Sequence, residues 1–156
     1  MNLSKEVGKS LRAHGCQLAV AESLTGGSVS SLITDTPGSS AYFLAGVVTY
    51  SDESKVSILG VREEILRAHG AVSERCALEM AKGVRALVGA DIGAACTGIA
   101  GPSGATDAKP VGLVYIAVED GKRSLVEEEH FEGTRLDIRR RAAERTLELI
   151  LLLLEP

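Results

Sequence analysis

The sequence predicts an α/β fold, a three-layer α/β/α sandwich around a mixed, mostly parallel sheet of about five strands. Helical and strand patterns alternate along nearly all of the 156 residues. The first three strand patterns are joined by helical connections, which parallel pairing requires. The last two are joined by a short Asp-Gly turn, which makes that pair antiparallel. No shift in composition divides the chain, so we expect a single domain over residues 1–156.

The elements of the first half follow from apolar periodicity and turn residues. The first helical pattern has Arg12 and His14 in its last turn and Gly15 directly after it, as helices often do. Strand runs are rich in alanine and valine, and Thr34 to Gly38 form a turn. Asp52 is expected to cap a short helix that contains Lys55. The pattern predicts a helix over 3–14, a strand over 17–22, a short helix over 25–33 and a strand over 43–50.

The second half continues the alternation. Ala77, Met80, Ala81, Val84 and Leu87 recur at helical spacing and predict the longest internal helix. Thr134 and Asp137 have the spacing of a capping box at the start of the last helix. The pattern predicts helices over 63–69, 73–88 and 134–154, strands over 92–97, 111–118 and 123–131, and a long loop over 98–110.

Composition argues against several classes of partner. The formal net charge is −4 and only 3% of residues are aromatic, whereas nucleic-acid binding favours basic stripes and aromatic stacking platforms. The first 18 residues contain four charges instead of an apolar signal-peptide core. Residues 149–154 are too few for a membrane span, which needs about 20 apolar residues. They are interpreted as a buried helix end or a subunit contact, and we expect a cytoplasmic protein without nucleic-acid or membrane partners.

The cysteines and histidines predict neither a disulfide framework nor a metal site. Three cysteines are an odd number without C-x-x-C spacing, which is typical of a reducing compartment. Cys96 is interpreted as a packed strand thiol rather than a nucleophile. His14 and His69 each stand in an Arg-Ala-His-Gly helix end, and His130 lies in an acidic edge strand. No base for a Ser-His-Asp triad, no metal and no cofactor are therefore predicted.

Hydroxyl groups end three of the predicted strands. Ser23 follows the first strand and precedes a glycine pair, Tyr50 ends the second, and Thr97 ends the third before a glycine-rich loop. Lys55 follows Tyr50 by five residues. Since ligands of α/β sheets bind outside the carboxyl ends of the strands, these four side chains predict one site.

Four motifs in this order resemble the CinA C-terminal family, the stand-alone nicotinamide mononucleotide deamidases. The resemblance covers nearly the whole chain. It implies hydrolysis of the carboxamide of nicotinamide mononucleotide to the acid and ammonia, in pyridine-nucleotide salvage, by a homodimer or higher homo-oligomer. The motifs are AESLTGG at 21–27, GVVTYS at 46–51 with Lys55, AVSE at 71–74, and TGIAGP at 97–102 followed by KPVG at 109–112.

The resemblance also implies roles for individual residues. Ser23 would attack the amide carbonyl and Lys55 would accept its proton, provided that burial lowers the lysine pKa. Tyr50 would relay the proton to departing ammonia, and Thr97 would orient the carboxamide or Lys55. Backbone N–H groups near Ser23 or Gly98 would hold the oxyanion. The substrate phosphate would bind Thr25, Gly26 and Gly27 together with Arg135 or Arg139.

Other interpretations stay open at this point. Ser23 and Thr25 are also residues that commonly cap helices, and Lys55 on a short helix would ordinarily be solvated. The chain could be a catalytically silent module that binds a nucleotide or a protein in competence or DNA-damage responses. It could also hydrolyse a different amide. Ammonia release from a panel of amides discriminates among the three.

Overall fold

The structure, a computed structural model, describes residues 1–156 and contains six α-helices and five strands. The first half consists of α1 (Leu3–His14), β1 (Leu18–Glu22), α2 (Ser28–Thr34), a short 3-10 helix (Ser39–Ala41), β2 (Phe43–Val48) and α3 (Asp52–Leu59). The second half consists of α4 (Glu63–His69), α5 (Glu74–Val88), β3 (Ile92–Gly98), β4 (Leu113–Glu119), β5 (Ser124–His130) and α6 (Arg135–Leu154).

The five strands form one mixed sheet in the order β2-β1-β3-β4-β5. The pairs β1–β2 and β1–β3 are parallel, and β3–β4 and β4–β5 are antiparallel, so that four of the five strands run in the same direction. The predicted fold class is confirmed. The antiparallel pairing of β3 with β4 was not predicted, because the long loop after Gly98 has no hairpin signal.

Helices cover both faces of the sheet. One core lies between the sheet and α1, α2 and α6, and includes Val20, Cys96, Ile116 and Leu147. The other lies beneath α3, α4 and α5, where the sheet presents small side chains such as Ala19, Ala21, Ala95 and Ala117. Neighbouring strand residues alternate between the two cores, as the two-residue period of a strand requires. The three predicted layers are therefore present.

Two glycines bring α5 close to its neighbours. A Cβ on Gly93 of β3 would stand 2.1 Å from the Ala81 carbonyl oxygen of α5. A Cβ on Gly83 of α5 would stand 2.0 Å from the Leu59 carbonyl oxygen at the end of α3. Both contacts are far below van der Waals distance, so α5 packs backbone to backbone against β3 and α3. This packing fixes α3, which carries Lys55, against the sheet.

Most predicted boundaries agree with the structure within three residues, but two details are wrong. Ser51, not Asp52, is the N-cap of α3, where its hydroxyl accepts from the Ser54 N–H and forms a capping box. The second helix begins at Ser28, three residues after the predicted start, because residues 23–27 form a turn. The Thr134–Asp137 capping box of α6 is present as predicted.

The end of α6 packs into the core. Leu149, Ile150, Leu153 and Leu154 are buried, whereas Leu152 is 41% exposed. The apolar run at the end of the chain is thus a buried helix end. None of the six helices combines the length and the apolar character that crossing a lipid bilayer would require.

Candidate active site at the carboxyl edge of the sheet

The three parallel strands end at the same edge of the sheet. Glu22 at the end of β1 is in register with Val48 of β2 on one side and with Cys96 of β3 on the other. Ser23, one residue further, therefore lies between the ends of the two neighbouring strands. This convergence brings together the hydroxyl-bearing residues that the sequence predicted for one site.

Lys55 reaches this edge from α3. Its Nζ lies 3.1 Å from Ser23 Oγ and donates a hydrogen bond of 2.7 Å to the Thr49 carbonyl oxygen. The side chain is only 1% exposed, and Ser23 is itself buried except for the surface facing a cleft. A hydroxyl and an amine are thus within direct proton-transfer distance.

Burial shifts the pKa of this amine. Desolvation lowers the pKa of Lys55 from its ordinary value, while the nearby Cys76, Asp52 and Cys96 act weakly in the opposite direction. No carboxylate forms an ion pair with Lys55. The environment therefore shifts the equilibrium of this amine toward its neutral form, the form that accepts a proton.

A cleft of about 300 Å³ opens above Ser23 and Lys55. Its walls come from the start of α3, the segment 71–72 and the glycine-rich loop after β3. Among the predicted site residues, the cleft is lined by Ser23, Tyr50, Lys55, Thr97, Gly98 and Arg135. A larger cavity of about 460 Å³ lies near His14 and Arg123 and contains none of them.

Tyr50 and Arg135 meet at the rim of the cleft. Arg135, the first residue of α6, donates to the Tyr50 hydroxyl at 3.0 Å and to the Gly101 carbonyl oxygen at 2.7 Å. Tyr50 is 62% exposed, so its hydroxyl retains a proton to donate into the cleft. Arg135 pairs only with neutral oxygens, and its positive charge is not compensated by a carboxylate.

Thr97 lies at the floor of the cleft. Its hydroxyl donates to the Ala71 carbonyl oxygen at 2.9 Å, which ties the end of β3 to the segment before α5. With its proton committed, the Thr97 oxygen can take part in a further hydrogen bond only as an acceptor.

Several backbone N–H groups around the cleft have no acceptor within the protein. They belong to Leu24, Ala100, Gly101, Ser103 and Gly104, all of which line the cleft. An array of free amides at one cavity is suited to an oxyanion or another anionic group.

The carboxylate of Glu22 occupies the anion cradle that the sequence suggested for a phosphate. It is completely buried and accepts from the N–H groups of Gly27, Val29 and Ser30 and from the hydroxyls of Thr25 and Ser30, at 2.6–3.1 Å. This role of Glu22 was not predicted from the sequence. The signal lay in its position five to eight residues before a helix start rich in hydroxyl and amide donors.

The other predicted binding residues lie outside the cleft. Thr25 is fully buried, and its hydroxyl contacts Glu22 and Cys96. Gly26, Gly27 and Arg139 face a separate groove between α2 and α6. Arg139 donates to the carbonyl oxygens of Leu24 and Thr25, which anchors the turn after Ser23. These four residues shape the turn from behind and do not line the space above Ser23.

The remaining thiols and imidazoles agree with the structural roles predicted for them. Cys96 is fully buried, and desolvation raises its thiol pKa to about 12, which disfavours the nucleophilic thiolate. His14 and His69 occupy the last turns of α1 and α4, each followed by a glycine cap. His130 lies exposed at the end of the edge strand β5, 3.5 Å from Glu128.

Comparison with known proteins identifies the family. Residues 1–154 match the model of the CinA C-terminal domain. The chain belongs to the CinA C-terminal domain family.

Curated relatives of this CinA domain fall into two size classes. The chain is 48% identical over 154 residues to a CinA-like protein of Chloroherpeton thalassium, but it spans only about a third of that relative's length, 37%. It is 45% identical over 151 residues to the nicotinamide-nucleotide amidohydrolase PncC of Escherichia coli K12, with 96% of this chain and 92% of the relative covered.

Solved structures of the CinA superfamily have the same fold. The competence/damage inducible protein CihA of Agrobacterium tumefaciens superimposes with a TM-score of 0.95 at 36% identity, covering 98% of this chain and 94% of that one. A CinA superfamily protein of Klebsiella pneumoniae gives a TM-score of 0.94 at 36% identity, covering 97% and 95%. The arrangement of six helices around this five-stranded sheet is therefore that of the CinA superfamily.

Proposed function

We propose that this protein hydrolyses the carboxamide of nicotinamide mononucleotide to nicotinic acid mononucleotide and ammonia. The observation that carries the proposal is the 3.1 Å contact between Ser23 Oγ and the buried amine of Lys55 at the floor of a cleft. Similarity to a nicotinamide-nucleotide amidohydrolase over 96% of the chain supports the substrate class.

The first step forms a tetrahedral intermediate. Ser23 Oγ attacks the carboxamide carbon while its proton moves to the neutral Lys55 amine. The resulting oxyanion accepts hydrogen bonds from free N–H groups such as that of Leu24, directly after the nucleophile, with those near Gly98 as further donors. The Thr97 oxygen accepts from the amide nitrogen and holds the carboxamide plane in position.

The second step releases ammonia and then the acid. The C–N bond breaks as the leaving nitrogen takes a proton from Lys55, directly or through the Tyr50 hydroxyl. A water molecule then attacks the ester carbon and gives its proton to Lys55. Collapse of this second intermediate returns the proton to Ser23 Oγ, so that nicotinic acid mononucleotide leaves and the enzyme is regenerated.

Arg135 is the candidate for the substrate phosphate. It lines the cleft with an uncompensated charge, beside the free amides of Gly101, Ser103 and Gly104. Arg139 is less suited because it faces the separate groove between α2 and α6 and does not line the cleft. Thr25, Gly26 and Gly27 then contribute by holding the Ser23 turn, since the buried carboxylate of Glu22 already fills the anion cradle behind them.

Three further properties belong to the same proposal. The reaction would serve pyridine-nucleotide salvage in the cytoplasm, and the protein would act as a homodimer or higher homo-oligomer. Light scattering of the purified protein measures its mass in solution. The mass of a monomer would contradict the proposed homo-oligomer.

Ammonia release tests the function. The purified protein is incubated with nicotinamide mononucleotide, nicotinamide riboside, nicotinamide, glutamine and a buffer blank. We expect ammonia from nicotinamide mononucleotide at the highest rate. If ammonia were released only from another amide, that amide would be the substrate instead. If no amide released ammonia, a binding module would be favoured.

A further inference from the structure

Two charged side chains of the cleft have no charged partner. Asp52 is the only carboxylate that lines it, and none of its oxygens takes part in a hydrogen bond or an ion pair with another residue. Arg135 is the only arginine that lines it, and it contacts the neutral oxygens of Gly101 and Tyr50. Unpaired charges of opposite sign in one cleft are complementary to a ligand that carries both.

Asp52 lies close to the reacting centre. It is the first residue of α3 and stands one turn before Lys55, on the same side of the helix, about 4.5 Å along the helix axis. A ring whose carboxamide reaches Ser23 and Lys55 would therefore lie within a few ångströms of the Asp52 carboxylate.

We propose that Asp52 selects substrates whose carboxamide ring is a cationic, N-alkylated pyridinium, while Arg135 takes the anionic end of the same molecule. This inference rests on the proposed function and adds the charge of the ring that the site accepts. Nicotinamide mononucleotide has a pyridinium cation and a phosphate, whereas its 1,4-dihydro form keeps the carboxamide, ribose and phosphate but has a neutral ring. The two ligands differ in the feature that Asp52 would recognise.

Glu53 provides a matched control. It is the next residue of the same helix turn, is exposed, and makes no hydrogen bond or ion pair. It faces a groove outside the cleft, beside Glu63 and Arg67; Asp52 borders both that groove and the cleft, whereas Glu53 borders only the groove. Glu53→Gln removes the same charge from the same turn without altering the lining of the cleft.

The test measures binding without turnover. In a Ser23→Ala background, calorimetric titration gives Kd for nicotinamide mononucleotide and for its dihydro form, with Asp52 intact, Asp52→Asn, Asp52→Glu or Glu53→Gln. We expect Asp52→Asn to raise Kd for the cationic ligand by about five- to tenfold, as one charge about 5 Å away in a partly solvated cleft would. Kd for the dihydro form should change by less than about twofold on the same reasoning. Asp52→Glu should retain the preference, and Glu53→Gln should change neither value.

Comparing the two ligands separates recognition of the ring from indirect effects. The charge of Asp52 also raises the pKa of Lys55, so its removal leaves that amine less protonated and less repulsive to a cationic ring. This indirect effect lowers Kd for the cationic ligand and therefore opposes, rather than mimics, the expected rise. Equal changes for the two ligands, no change for either, or no binding of nicotinamide mononucleotide would overturn the role of Asp52. Because the titration needs no turnover, failure of the proposed function is seen separately, as absence of ammonia release by the wild-type protein.

Discussion

The side-chain nitrogen of Lys55 lies 3.1 Å from the hydroxyl oxygen of Ser23, and no carboxylate pairs with it. The two residues come from different layers, Ser23 from the end of a central strand and Lys55 from a helix packed on the sheet. The amine is held in place by a backbone carbonyl, that of Thr49. An uncharged acceptor positions the amine without stabilising its protonated form as strongly as an ion pair would.

Replacing Lys55 tests its role as a base. Lys55→Arg keeps a positive charge but cannot accept a proton at working pH, and Lys55→Ala removes both charge and base. Both variants should lose kcat by a similar factor, about 10²- to 10⁴-fold. The control Lys82→Ala, at an exposed position of α5, should retain activity. An arginine variant with nearly wild-type kcat would assign Lys55 a purely electrostatic role.

The pH dependence of the wild-type rate follows from the same residue. Because desolvation lowers the pKa of Lys55, the neutral amine becomes populated below the pH at which a solvated lysine would lose its proton. We therefore expect kcat to rise with pH through this lowered pKa and then to level off. The rising limb should be absent from the residual activity of Lys55→Ala. A flat wild-type profile would contradict the assignment.

Lys55 should also reduce the stability of the fold. Its pKa is lower in the folded than in the unfolded protein, so the unfolded state binds more protons and stability rises with pH. This destabilisation is complete below the pKa of Lys55 in the folded protein. It disappears as the pH rises through the pKa of a lysine in the unfolded protein, about 10.4. Lys55→Met should raise the free energy of unfolding by about 1–3 kcal/mol at pH 7, and by less at pH 10.

Urea denaturation at the two pH values measures this difference. The control is Lys82→Met, which replaces an exposed lysine and should change stability little at either pH. A Lys55→Met variant less stable than the wild type at pH 7 would show that the amine contributes more through its contacts than it costs through burial.

Removing the charge of Glu22 should destabilise the protein. Five donors converge on this buried carboxylate. Glu22→Gln replaces one acceptor oxygen by an NH₂ group that faces donors. We expect a loss of about 2–4 kcal/mol in the free energy of unfolding, measured by urea denaturation. Glu132→Gln, at an exposed position, is the control, and a loss below about 1 kcal/mol would contradict this role of Glu22.

Arg135→Ala tests the phosphate contact. The ratio of kcat/KM for nicotinamide mononucleotide to that for nicotinamide riboside should fall by about 10- to 100-fold, the scale of a lost charge-assisted hydrogen bond. Loss of the Tyr50 contact affects both substrates and cancels in the ratio. Arg140→Ala is the control, because Arg140 is exposed and lies near Asp137. An unchanged ratio would show that Arg135 does not bind the substrate phosphate.

Local patterns predicted the elements and the edge of the sheet at which Ser23, Tyr50, Lys55 and Thr97 meet. Strand runs ending in Ser23, Tyr50 and Thr97 were sufficient to predict one edge of the sheet, because parallel strands end together. The antiparallel β3–β4 pair was not predictable in this way. Its strands are separated by a 14-residue loop, 99–112, whose path depends on tertiary contacts such as the one between Arg135 and Gly101.

Burial of charged groups was the feature of the structure that was hardest to predict from the sequence. Lys55 stands on a short helix where lysines are ordinarily solvated, and only the packing of α3 against α5 and the sheet encloses it. Glu22 ends an apolar strand, and its carboxylate folds back onto the start of α2 instead of facing solvent. The phosphate cradle predicted at Thr25, Gly26 and Gly27 had the expected geometry for an anion, but the protein supplies that anion itself.

The most direct test of the account is ammonia release from nicotinamide mononucleotide by Ser23→Ala. We expect kcat to fall by about 10³- to 10⁶-fold while the melting temperature and circular dichroism stay unchanged, since only one oxygen at the cleft surface is lost. Ser31→Ala, at an exposed position of α2, should retain full activity. A Ser23→Ala protein that keeps its fold and releases ammonia at a rate close to that of the wild type would contradict Ser23 as the nucleophile.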